Sequence, residues 1–236
     1  LHVMGNPVKP RLVLLALPLL LAACGGKPDA PVAADPVAQA PAREKEPDEN
    51  VEKDPLLSEA KIAHVVVPEA FITPATPAEN VDSPASWRAP DGTRWLIATA
   101  KDTHRLVVYD GSTGKQLRTV SGPGSELGQM QRPNGIAVID DLVLVVERDN
   151  RRVQVFQLPD FKPLLVFGAD DLKQPYGLWV RPQKDAYEVI VSDNYMSPQN
   201  EDLPPPLAEL DQRFKRYHLQ RTEGGWKATL AGTFGD

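Results

Sequence analysis

The sequence predicts an all-β fold, a partial β-propeller built from four-stranded blades. Three observations carry that prediction. First, "SPASWRAPDGTRWLIATAKDTHRLVVYDGSTGKQLRTV", "RPNGIAVIDDLVLVVERDNRRVQVFQLPDFKPLLVFG" and "QPYGLWVRPQKDAYEVIVSDNYMSP…RFKRYHLQRTEGGWKATLAG" are three versions of one block, headed by Pro84, Pro133 and Pro175. Second, each block reads as four short strands, and four strands in roughly 40–50 residues is the arithmetic of a propeller blade. Third, the blocks share a local pattern in which Arg105, Arg152 and Arg213 are followed by the aromatics Tyr109, Phe156 and Tyr217. An immunoglobulin-like sandwich would also alternate apolar and polar residues, but it lacks such a repeat.

The segments ahead of the blocks follow from composition. The chain has 236 residues, a net charge of −6, 24 prolines and one cysteine. Lys9 and Arg11 precede the apolar run Leu12–Leu20, which ends in Leu21-Ala22-Ala23-Cys24-Gly25. A short basic region, an apolar core too brief to span a bilayer and small residues before a cleavage point predict an export signal over residues 1–24. Leu-Ala-Ala-Cys resembles the lipobox of bacterial lipoproteins. That resemblance implies acylation of Cys24, attachment to a membrane at the cell envelope and, with Gly25 in place of a retention aspartate, the outer membrane. The single cysteine leaves no partner for an internal disulfide. Residues 25–56 are Pro, Ala, Asp, Glu and Lys with almost no large apolar side chains, which predicts a disordered tether.

The blocks occupy residues 57–236. Their middle strands, Trp95–Ala98, Leu142–Val146 and Val189–Val191, are continuously apolar, as expected of strands packed on both faces by neighbouring blades. "AHVVVPEAF" (63–71) reads as a further strand, one that would close a last blade. Residues 195–212 form a long insertion between the second and third strands of the third block; its Leu207–Leu210 reads as a helical turn packing apolar side chains downward, and the insertion is read either as a wall on the substrate side of the rim that carries Asp82, Lys101 and Arg148 or as a spacer covering a blade edge. Propellers hold about four to eight blades, so three blades are read as the first half of an expected six, with truncation preferred over completion by a partner chain.

Antiparallel pairing brings the start of each first strand and the end of each second strand to one rim. Asp82-Ser83 and Lys101-Asp102 meet there in the first block, Asn134 and Glu147-Arg148-Asp149 in the second, Tyr176 and Asp193-Asn194 in the third. Oxygen-bearing Asp82, Glu147, Asp149 and Asp193 suit calcium, and Lys101 and Arg148 suit phosphate oxygens. Polar residues are also ordinary in strand-connecting turns, so a solvated corner and a metal-assisted phosphate site both stand as readings. His64, His104 and His218 are scattered and suggest no base. The acidic balance and sparse aromatics argue against nucleic acid.

"DSPASW", "LIATAKDTHRLVVYD", "VVERDNRRVQVF", "PYGLWV" and "VSDNY…RFKRYHL" resemble the opening blades of the six-bladed β-propeller phytases, the 3-phytase family, over about residues 72–236. The resemblance implies a calcium-dependent hydrolase acting on phytate or a similar phosphorylated small molecule. By that likeness Asp82 matches the first carboxylate of an Asp-Asp-Pro-Ala motif. Lys101 and Arg148 match phosphate-binding residues, and Tyr176 matches a tyrosine beside the metal cluster. Ser83 departs from the motif's second aspartate, and Asp193-Asn194 stands where the family carries Lys-Glu. "GQMQRPNGIAV" and "DNRRVQVF" also resemble an NHL repeat. That likeness implies the alternative function, a non-catalytic propeller binding a protein or glycan at the cell envelope.

Overall fold

The computed structural model describes residue 65, residues 67–200 and residues 203–235. Cys24, the apolar run before it and the tether through residue 56 lie outside the described residues. Among the described residues no helix is long and apolar enough to cross a membrane.

Among the described residues, twelve strands form three antiparallel four-stranded sheets, each a meander in chain order. Blade 1 holds β1 (Val81–Arg88), β2 (Arg94–Ala100), β3 (Arg105–Asp110) and β4 (Gln116–Val120). Blade 2 holds β5 (Pro133–Ile139), β6 (Leu142–Glu147), β7 (Arg152–Gln157) and β8 (Lys162–Phe167). Blade 3 holds β9 (Pro175–Pro182), β10 (Tyr187–Asp193), β11 (Phe214–Thr222) and β12 (Gly225–Phe234). The first strands adjoin one another, β1 beside β5 and β5 beside β9, so the blades fan out from a common axis.

The continuous apolar runs have the expected cause. Every residue of β6 is buried. Side chains alternate across a strand, so Leu142, Leu144 and Val146 join Val189, Val191 and Tyr217 of blade 3. Val143 and Val145 join Trp87, Ile97 and Leu106 of blade 1. Each such side chain contributes roughly 1.5–3 kcal/mol by leaving water. The Asp140-Asp141 hairpin then reaches both neighbours: Trp87 donates its indole N–H to Asp141 at 3.1 Å, and the Tyr187 hydroxyl donates to Asp140 at 2.7 Å.

The first strand of every blade carries a β-bulge near its start. Asp82-Ser83 stand opposite Thr99, Asn134-Gly135 opposite Val146, and Tyr176-Gly177 opposite Ser192. The register therefore corrects one equivalence drawn from the sequence: Val81, not Pro84, is the counterpart of Pro133 and Pro175. In blades 1 and 3 a hydroxyl caps the bulge, Thr99 accepting from the Ser83 N–H at 3.1 Å and Ser192 from the Gly177 N–H at 2.9 Å. Gly135 is required by packing, because a Cβ there would fall 2.8 Å from the Gly177 Cα and 2.9 Å from the Tyr176 carbonyl oxygen. Blades 2 and 3 touch backbone to backbone at that point.

Two further expectations are corrected. Among the described residues, 65 and 67–71 form no strand; Val65 and Val67 are exposed, and Phe71 packs over Gly114. The insertion does form a 3₁₀ turn, Leu207–Gln212, but Leu207 points outward at 86% exposure, Leu210 is half-buried, and the residues buried are Tyr195 and Pro205.

Candidate functional site

The three bulges place Asp82, Asn134 and Tyr176 at the same point of their blades, beside the axis. Bulges re-aim side chains and are common beside binding sites. In blade 1, Lys101 is buried to 3% exposure and pairs with Asp82 at 3.2 Å. Its ammonium also lies 5.8 Å from the centroid of the Tyr176 ring in blade 3. Asp82 remains one-third exposed and Tyr176 is exposed. Asn134 is buried with both amide atoms lacking a hydrogen-bond partner. Asp82, Lys101 and Tyr176 are thus brought together, with an orphaned donor and acceptor on the blade between.

Glu147 and Asp193 occupy a different environment from the one expected of rim ligands. Glu147 is fully buried and accepts from the Arg152 guanidinium at 2.9 Å, the Gln154 amide at 3.0 Å, the Gln131 N–H at 3.1 Å and the Asn150 amide. Burial pushes its carboxyl above the ordinary carboxylate value, with those donors pulling it back. Asp193 accepts from the Lys173 N–H, the Gln174 N–H at 2.7 Å and the Lys215 ammonium at 3.3 Å. Both carboxylates latch the connection that enters their own blade to the blade's third strand. The shared arginine pattern serves the same corner: Arg152 also donates to the carbonyls of Ser125 and Gln129, and Arg213 to those of Tyr195 and, through its side chain, Asn194. The charged corner of blade 2 is a structural knot at its base.

Above the knot the corner opens. A cleft of about 610 Å³ lies between blades 2 and 3, lined by Arg148, Asp149, Arg151, Lys173, Gln174, Tyr195 and the loop residues Met196, Ser197 and Pro198. With the Gln174 amide oriented oxygen-first, the Arg148 guanidinium donates to it at 2.7 and 3.1 Å. Asp149 is exposed, 3.9 Å from Arg148. Tyr195 is buried among cations: Lys173 sits 4.1 Å, Arg213 5.2 Å and Lys215 5.8 Å from its ring centroid. Burial raises the Tyr195 hydroxyl above the ordinary phenol value, and Lys173 counteracts it. The hydrogen bond from Lys173 to Glu209 at 2.9 Å raises the lysine, keeping it charged at neutral pH. Such a cationic concavity suits an anionic ligand.

Arg151, Lys173, Gln174 and Tyr195 were not singled out in the sequence. Lys173-Gln174 lies in an interblade connection, and only its position before Pro175 marks it as facing the corner. Among the described residues, no three His, Cys, Asp or Glu side chains gather closely enough to hold a metal ion. The four carboxylates expected to share calcium are not one cluster: Asp82 and Asp149 face solvent, while Glu147 and Asp193 are enclosed by protein donors.

The fold is all-β and propeller-like, with three antiparallel four-stranded blades among the described residues. No protein-family model matches it, and no curated protein is similar to it at a significant level. Solved structures are similar in outline. A 6-phosphogluconolactonase candidate from Bacteroides uniformis shares 11% identity at a TM-score of 0.43, over 70% of this chain and 46% of that one. Hydrazine synthase of Kuenenia stuttgartiensis shares 13% at 0.37, over 71% and 49%. Hsv2p of Kluyveromyces lactis shares 12% at 0.37, over 61% and 45%. The chain spans about half the length of each of these structures.

Proposed function

We propose that the rim binds a phosphorylated small molecule and that the protein is a phosphomonoester hydrolase of the phytase type, anchored at the cell envelope through Cys24. The observation that supports this reading best is the concentration of cations on one rim: Lys101 beside the axis, and Arg148, Arg151 and Lys173 around the cleft between blades 2 and 3. Arg148 offers a planar fork to phosphate oxygens. Lys101, held by Asp82, would neutralise charge building on a phosphoryl group at the axis. Tyr176 would stack or donate at its edge. Calcium, implied by the phytase likeness, would find Asp82 and Asp149 available; its remaining ligands would have to be other oxygen groups.

A second reading has its own support. Glu147 and Asp193 are committed to internal partners, which leaves a rim suited to holding an anion and poor in carboxylates for activating water. That arrangement fits a non-catalytic binding propeller.

The test has two arms. Calorimetry with phytate, with and without calcium, should show binding that falls about tenfold in Arg148→Ala. Calcium-dependent release of phosphate from phytate by the protein should fall in Lys101→Ala. Binding without release selects the second reading. Phytate affinity unchanged in Arg148→Ala overturns the anion-binding rim.

A further inference from the structure

At the opposite end of the blades from Asp82, a second cavity of about 380 Å³ lies between blades 1 and 2. Its walls are the paired indoles Trp87 and Trp95, with centroids 4.8 Å apart, closed by Pro90 and Pro159. Its charged lining is acidic: Asp91 and Asp141, both exposed, and no lysine or arginine. The volume is that of a small-molecule site, which characteristically joins an apolar wall to a few polar groups.

The polar groups select the sign of the ligand. Asp91 is pinned by the Thr93 N–H at 2.8 Å, which holds its carboxyl below the ordinary value and therefore ionised. Asp141 accepts from the Trp87 indole at 3.1 Å, so that indole donor is already engaged. Two carboxylates beside aromatic faces favour a cation, and the faces favour one with an apolar body over a strongly hydrated metal ion. The molecule already uses one of these walls this way: the Arg118 guanidinium carbon lies 5.0 Å from the Trp95 centroid and 4.9 Å from that of Phe161 outside the cavity lining, while its N–H donates to the Pro159 carbonyl.

We propose that this cavity binds a small organic cation, an ammonium or guanidinium on an apolar body, independently of the cationic rim at the other end of the blades. The experiment is an NMR titration of the intact chain with choline, following the indole N–H signals of Trp87 and Trp95. The control ligand is 3,3-dimethyl-1-butanol, which replaces the quaternary nitrogen by carbon. Choline should shift both signals saturably with a Kd of about 1 mM, and the alcohol should bind at least about tenfold more weakly. Asp91→Asn with Asp141→Asn preserves an acceptor for Thr93 and for Trp87, so the folded spectrum should persist while choline affinity falls about tenfold. Equal affinity for the two ligands, an unchanged affinity in the double variant, or no saturable shift overturns the proposal.

Discussion

Blades 1 and 2 solve the same corner in different ways. In blade 2 the residue ending the second strand is Glu147, buried beneath four donors and paired with Arg152. In blade 1 the same position is Ala100, opposite Arg105. There the arginine finds its carboxylate in the connection entering the blade: Glu79 accepts from Arg105 and, at 2.9 Å, from the Thr103 hydroxyl. The carboxylate has moved from the strand end to the entering segment. Lys101, next in the chain, pairs with Asp82 beside the axis. A charged residue at a strand end therefore identifies a corner, and only its partners decide whether the corner holds the fold or meets a ligand.

The strongest way to break this comparison is to remove the blade 2 knot. Glu147→Ala leaves the Arg152 guanidinium buried without its carboxylate, and the loss should be about 3–5 kcal/mol, read by urea denaturation. Replacing Arg152 as well, with Met, should recover a large part of it. A single-variant loss below about 1 kcal/mol would mean that Glu147 is not the organising group.

Next in size is the blade 1 latch. Glu79→Gln should cost about 1 kcal/mol, since the pair is partly exposed and one hydrogen-bonding oxygen survives. The pH dependence separates the corners by sign. The Arg105 hydrogen bond lowers Glu79 from the ordinary 4.5, so its stabilisation is present above that value and is lost as pH falls through the lowered one. Burial raises Glu147 above 4.5, so its contribution is fullest below that value and declines as pH rises through the raised one. Stability measured from pH 3 to 7 should flatten on the acid side in Glu79→Gln and rise more steeply toward neutrality in Glu147→Gln.

The smallest effect belongs to the far end of blade 2, where Tyr187 of blade 3 holds Asp140. Burial, followed by that hydrogen bond, pushes Tyr187 from 10.0 up to about 12. A raised value in the folded state means stability present below pH 10 and lost as pH climbs toward 12. Tyr187→Phe should remove this part of the alkaline loss and cost under about 1 kcal/mol at neutral pH, as thermal melting across pH 8–11 would show.

The blades were legible because their evidence is periodic. Apolar β6 and the repeated arginine-to-aromatic pattern each register a packing demand made three times over. The bulges were less legible: two residues facing one shift the register, which made Pro84 look equivalent to Pro133 when Val81 is. Burial of Glu147 and Asp193 was not legible at all, since a carboxylate reads alike whether solvent or Arg152 and Lys215 surround it. The cleft was legible only through Arg148 and the insertion. Arg151, Lys173 and Tyr195 come from three connections, and nothing local in the chain says that they converge.

The backbone contact at Gly135 carries a consequence for size. It works as the pivot pin of a fan: how near the innermost strands of blades 2 and 3 can come sets the angle between those blades. That angle, divided into a full circle, gives the number of blades a ring can hold and the bore of its central hole. A methyl group at residue 135 would open the angle before it disturbed the core. One missing side chain thus helps to fix how closely two neighbouring blades can lie, at the same bulges that carry Asn134 and Tyr176.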